Sequence, residues 1–209
     1  MRHRWRALRA VLVASLFVLA VTGAASAGIL SITEDSFRIT WNNFQAITDS
    51  EYIIECRVTL EGTFNARTIP KSQGILVGRV NSATVGTCAS GILVLLPETL
   101  PWHFMYDSFT GTLPNILLAR VLLIGAGISG EIGLWRRCLG TTTTTRPLRF
   151  AFAREARGSI IEVIPDPGFQ VPVSGPFCIG STDEARLAGA GNPFIGGSTT
   201  TRINMSLIA

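Results

Sequence analysis

The stretch Arg120 to Trp135, RVLLIGAGISGEIGLW, sets glycines at 125, 127 and 130 behind an apolar run. This is the G-x-G-x-x-G spacing of a dinucleotide-binding turn, in which the first glycine turns the chain, the second admits pyrophosphate and the third lets a helix pack on the strand. EIGLWRRCLG would then be the helix, and LRFAFAREARG a second strand ending at the ribose-binding acid Glu155. Several features oppose that assignment. Glu155 lies further along than the usual ~20 residues, and five threonines and Pro147 fill the interval. Gly133 weakens the helix, Cys138 would sit inside it, and the chain before Arg120 shows no strand–helix alternation. The expectation is a buried strand from Val121 to Ile124 followed by a glycine-rich turn, with dinucleotide binding through Gly125 to Gly130 kept as a remote alternative.

A serine-hydrolase site would have to pass through His103, because the other histidine, His3, lies in the leader described below and no G-x-S-x-G occurs. His103 and Asp107 share a face of WHFMYDSF, but four residues along a strand separate them by about 13 Å, too far for a direct hydrogen bond. The acidic groups Glu34-Asp35, Glu55 with Glu61, and Asp183-Glu184 could supply paired carboxylates. Glu55 and Glu61, however, alternate with Arg57 on what reads as a solvated face, and Asp166 in PDPG reads as a turn residue. Trp41, Trp102, Tyr106 and Trp135 could contact carbohydrate or lipid, and Trp102, His103 and Tyr106 are the candidate ligand patch. No catalytic set, metal site or cofactor is expected.

Four cysteines, Cys56, Cys88, Cys138 and Cys178, carry no Cys-x-x-Cys spacing that would suggest zinc. An even number in an exported chain suggests two disulfides. Of the three possible pairings, Cys56–Cys88 with Cys138–Cys178 is preferred because it staples neighbouring segments, each worth roughly 3–4 kcal/mol on loop-entropy grounds.

Export is read from the first 27 residues. Arg2, Arg4, Arg6 and Arg9 precede an apolar run from Ala10 to Val21, and Ala25-Ser26-Ala27 offers a small-x-small cleavage site. The run is shorter than the roughly 20 residues that cross a bilayer, and no later segment is long and uninterrupted enough to do so. The net charge of +4 belongs to this leader: its four arginines are unmatched by acids, so residues 28–209 balance fourteen basic against fourteen acidic side chains. A neutral exported chain gives no reason to expect nucleic acid as a partner; a cell-wall or other extracellular ligand fits better.

The elements that must hold these residues are strands. IECRVTLE puts Ile54, Cys56, Val58 and Leu60 on one face and Glu55, Arg57, Thr59 and Glu61 on the other, and FRITW and WHFMYDSF alternate in the same way. Further strands are expected near Gly74 to Val85, Gly91 to Leu96, Ile116 to Ile124, Leu148 to Ala153, Ser159 to Ile164 and Ser198 to Ile208. The run Thr141 to Thr145 also has strand-favouring residues. Gly189 to Gly197 is expected as a loop. Proline- and glycine-rich turns at short intervals make the expected fold all-β, one antiparallel sandwich or barrel domain of about 8–11 strands over residues 28–209, disulfide-stapled.

ITW, IECRVTLEGTF, TIPKSQGILVGRV, ETLPWHFMYDSFTGTLPNI, a cysteine near TTT, and TTTRINMSLI, behind a leader, together resemble a group of uncharacterised exported actinobacterial proteins. The resemblance covers most of the exported chain. It implies an all-β secreted or envelope-associated domain, carries no site residues, and favours a structural or binding role over the alternative of a hydrolase using His103 with acidic residues.

Overall fold

Alternation along the chain becomes strand after strand. The computed structural model describes residues 29–48, 53–112, 115–131, 137–154, 159–166, 170–174, 184–198 and 200–208. The leader and its cleavage site therefore lie outside the described residues. In chain order the strands are β1 Ile29–Ile32, β2 Ser36–Thr48, β3 Ile53–Phe64, β4 Thr68–Pro70, β5 Leu76–Ser90, β6 Ile92–Leu95, β7 Trp102–Thr112 and β8 Asn115–Ile124. They continue as β9 Gly127–Glu131, β10 Arg137–Thr141, β11 Leu148–Arg154, β12 Ile160–Pro165, β13 Gln170–Ser174, β14 Glu184–Ala188, β15 Gly191–Ile195 and β16 Met205–Ile208. The helical element among the described residues is one 3-10 turn, Pro97–Thr99.

Eight strands close an antiparallel barrel in the order β15-β12-β11-β8-β7-β5-β3-β2, with β2 returning to β15. The sheet continues from β2 through β14, β13, β10, β9 and β6. A separate three-stranded sheet, β16-β1-β4, adds its buried Leu30, Ile32, Ile69 and Met205 to the same core.

The strand β2 belongs to both parts. Phe37 to Trp41 pair with β15, whereas Gln45 to Thr48 pair with β14. Between them the register against β3 shifts, because Trp41 faces Val58 and Phe44 faces Cys56. Two residues, Asn42 and Asn43, thus oppose one, which is a β-bulge, and a bulge bends its strand. That bend lets one strand leave the barrel and start the second sheet.

Closure centres on Trp41. Gly191 pairs with Trp41 on one side and with Val163 of β12 on the other. The indole occupies the space above this glycine, since a Cβ at Gly191 would stand 2.5 Å from Trp41 Cε2. Its Nε1 crosses to donate a 3.0 Å hydrogen bond to the Val163 carbonyl. Phe44 and Phe150 each lie 5.7 Å from the indole, and Phe37, Phe64, Phe104 and Phe152 continue the ring contacts. Aromatic side chains fill this interior, as in other small barrels.

Cys56 and Cys88 form a disulfide between directly opposed positions of β3 and β5, with Cα atoms 3.9 Å apart. Cys138 lies in β10, and Cys178 falls outside the described residues, as does the pairing expected for them.

Three expectations need correction. Gly191–Ile195 is a strand and the closing one, not part of a loop; β12 meets it at Gly191, so Pro193 is tolerated as on a sheet edge. Of the threonine run only Thr141 is strand. The Thr143 hydroxyl accepts from the Arg146 amide at 3.0 Å, a local side-chain bond that favours a turn over a ladder, whereas Thr142 stays tied to Ala126 by backbone and hydroxyl bonds. The expected strand over Ser198 to Ile208 is confined to its last four residues.

Replacing Gly191 with alanine should cost about 1–3 kcal/mol, the range for overpacking a core, read as a lowered urea midpoint. Gly86→Ala, whose Cβ would make only ordinary 3.4 Å contact, should stay within about 0.5 kcal/mol of the parent. Equal costs at the two sites would contradict the packing described.

Candidate functional site: an outer-wall groove

On β2 and β3 the residues that do not face the core point outward, and charged and hydroxylated side chains stand there. Apolar inside with charge outside is the reverse of a lipid-spanning barrel's pattern. Among the described residues, buried aromatic and aliphatic side chains fill the barrel interior, and a polar groove lies on its outer wall.

The register of β15, β2, β3 and β5 lays the outward residues in rows. One row runs Asn192, Thr40, Thr59, Thr84, and the next runs Phe194, Arg38, Glu61, Ser82. At about 4.8 Å between strands, four positions span roughly 14 Å. This face holds a groove of about 480 Å³ lined by Arg38, Thr40, Asn42, Arg57, Thr59 and Glu61 together with Thr84, Asn192 and Phe194. That volume lies within the range of small-ligand sites.

Opposed side chains pair across the floor. Arg38 Nε donates to Glu61 Oε1 at 2.6 Å, and the Thr40 and Thr59 hydroxyls are 3.1 Å apart. Beyond the bulge, Gln45 Nε2 donates to Glu55 Oε2 at 3.2 Å. Each is a complementary cross-strand pair of the kind that stabilises sheets. At one end the Arg202 guanidinium lies 4.7 Å from the centre of the Phe194 ring. Hydroxyls and amides that both donate and accept, with one aromatic ring at the end, suit a ligand rich in hydroxyl groups.

The residues singled out from the sequence are placed as follows. Trp102 and Tyr106 face the barrel interior, 1% and 4% exposed, while His103 faces outward between Arg79 and Ile124. The three do not share a surface. Trp41 is core, and Trp135, Glu155 and Asp183 lie outside the described residues.

Asp107 is buried at a second bulge, where Tyr106 faces Val121 and Ser108 faces Arg120. Its carboxylate lies 3.2 Å from Arg149 Nε and accepts from Gln73 Nε2 at 3.3 Å and Ser108 Oγ at 3.1 Å. Arg149 Nη1 also reaches Asp166 at 3.7 Å, so Asp166 takes part in an ion pair; the rest of the turn expected at PDPG lies outside the described residues. Glu34 pairs with Arg67 at 3.2 Å, and Glu184 with Arg146. Among the described residues no group of three or more histidine, cysteine or acidic side chains is arranged to hold a metal.

The glycine motif is a turn between strands. Gly125, at φ 80°, ends β8, and the residues after it form β9, paired on one side with β6 and on the other with β10. Packing explains the other two glycines. A Cβ at Gly127 would stand 2.6 Å from Thr99 Cγ2, and one at Gly130 2.7 Å from Ile54 Cδ1. Arg137–Thr141 is strand and includes Cys138, where the nucleotide unit would need helix.

Fold and site thus define a closed, filled antiparallel barrel with a polar groove on its outer wall. Comparison of the chain with protein-family models, curated proteins and solved structures finds no match in any of the three.

Tyr106 carries a pH consequence. Burial, and secondarily the neighbouring Asp107 carboxylate, raise its phenol above the ordinary value of 10.0. The folded state therefore holds the proton more tightly than the unfolded state. The resulting stability is complete below pH 10 and declines as pH rises from there, by at most about 1.4 kcal/mol per unit from this one group. Urea midpoints from pH 8 to 11 should fall less steeply above pH 10 in Tyr106→Phe than in the parent; superimposed profiles would contradict this account.

Proposed function

We propose that this chain is a secreted or cell-envelope binding protein that takes a hydroxyl-rich extracellular ligand, such as a cell-wall saccharide, across the outer wall of its barrel. The observation that carries the reading is the groove itself: four neighbouring strands present donor–acceptor side chains in register over about 14 Å, on the outer wall of a barrel whose described interior residues are apolar. Export is supported by the leader pattern and by the Cys56–Cys88 disulfide, a bond that persists in oxidising compartments. A binding role is further supported by Asp107, which is committed to Arg149 and Gln73 instead of to His103.

A panel of soluble neutral and acidic oligosaccharides titrated into the ¹⁵N-labelled protein tests the reading. Amide shifts should move at Thr40, Thr59 and Asn192, and the double substitution Thr40→Val with Thr59→Val should weaken binding about tenfold, the scale of one or two lost hydrogen bonds. Shifts confined to another face, or none at millimolar saccharide, would overturn it.

A further inference from the structure

The bulge at Asn42–Asn43 has a counterpart on the other side of β3. Against β5, Cys56 faces Cys88 but Val58 faces Val85, so Gly86 and Thr87 together oppose the one residue between them. That residue is again Arg57. Both neighbours of β3 therefore bulge at the same level, and Arg57 faces two residues in each strand and has a one-to-one register partner in neither. Every other outward position of β3 that lines the groove is matched: Thr59 with Thr40, and Glu61 with Arg38.

The consequence is electrostatic. Glu61 neutralises Arg38 on the groove floor, whereas no described residue forms a hydrogen bond or ion pair with the Arg57 guanidinium. The stem of Arg57 lies over Gly86, with Cβ, Cγ and Cδ 3.4–3.7 Å from where a Cβ would be. The Cys56–Cys88 bond fixes the register at the next pair along. Bulges recur beside binding sites because they re-aim a side chain. Two of them converge on Arg57, the one cation among the groove's lining residues with no side chain paired to it, and it carries a planar fork that matches oxyanions in two-point contact.

From this we infer that Arg57 anchors an acidic group, a carboxylate or phosphate, on the hydroxyl-rich ligand of the groove. The inference rests on the reading of the groove as a binding site and names the ligand class within it. The carboxylate or phosphate takes the guanidinium, and its hydroxyls lie along the row Thr59, Thr40 and Asn192.

The test is calorimetric titration of the purified protein with trigalacturonate, with the neutral trigalactose counterpart, and with glycerol phosphate, repeated on Arg57→Gln and Arg57→Lys. Because Arg57 is exposed, both variants should unfold with the parent. The expected result is that an acidic probe binds about tenfold to a hundredfold more tightly than the neutral one, the scale of a charge-assisted hydrogen bond. Arg57→Gln should erase that preference, and Arg57→Lys should keep part of it. Preference for trigalacturonate over glycerol phosphate identifies the anion as a carboxylate, and the reverse identifies it as a phosphate. Equal binding of acidic and neutral saccharide, or an acidic preference that survives Arg57→Gln, overturns the role of Arg57 and leaves the groove reading intact. No binding of any probe overturns both.

Discussion

The Trp41 indole, laid across Gly191 to reach the Val163 carbonyl, is the contact on which the rest of the structure depends. Three strands meet there: β2 supplies the ring, β15 the vacant side-chain position and β12 the acceptor. Val163 and Gly191 form the register pair between β12 and β15, so the seam that closes the barrel is narrow and the indole bridges it. A buried donor without that carbonyl would cost about 1–3 kcal/mol in addition to lost ring packing. The clasp thus sits at the closing seam, immediately before the bulge at which β2 leaves the barrel.

Immediately after the clasp, β2 bulges and changes partner. Barrel closure requires Phe37 to Trp41 to stay with β15, while the second sheet requires Gln45 to Thr48 to reach β14. The bulge at Asn42–Asn43 reconciles the two by bending one strand between them. A second bulge in β5, held beside the Cys56–Cys88 bond, keeps β3 flanked symmetrically. Arg57, between the two, lacks the one-to-one register partners that its neighbours keep. A feature that serves the architecture thereby produces the unpaired cation of the groove.

Much of the wall was legible in the sequence. The alternation of IECRVTLE separates Cys56, Val58 and Leu60 in the core from Arg57, Thr59 and Glu61 outside, as β3 does. The preference for Cys56–Cys88 follows from segment proximity, and the disulfide joins those segments. The groove was not legible, because a period of two says which face a residue takes and nothing about which strand lies beside it. Arg57 read as part of a solvated face; its isolation depends on register shifts in two other strands. The closing strand GNPFI was hidden because glycine and proline normally punctuate loops. Here the glycine makes room for Trp41, and the proline sits where β12 no longer pairs. The threonine run misled for the opposite reason, since β-branching favours strands while the Thr143 hydroxyl bonds a turn amide.

The most direct measurement of this arrangement is a set of inter-strand nuclear Overhauser effects in one sample of the folded protein. The account predicts backbone contacts from Thr40 to Asn192 and from Ala46 to Leu187 together, with the Trp41 indole proton close to Val163. Contacts from β2 to only one of the two strands, in a protein that is otherwise fully folded, would contradict the shared strand, and with it the bulge that leaves Arg57 unpaired.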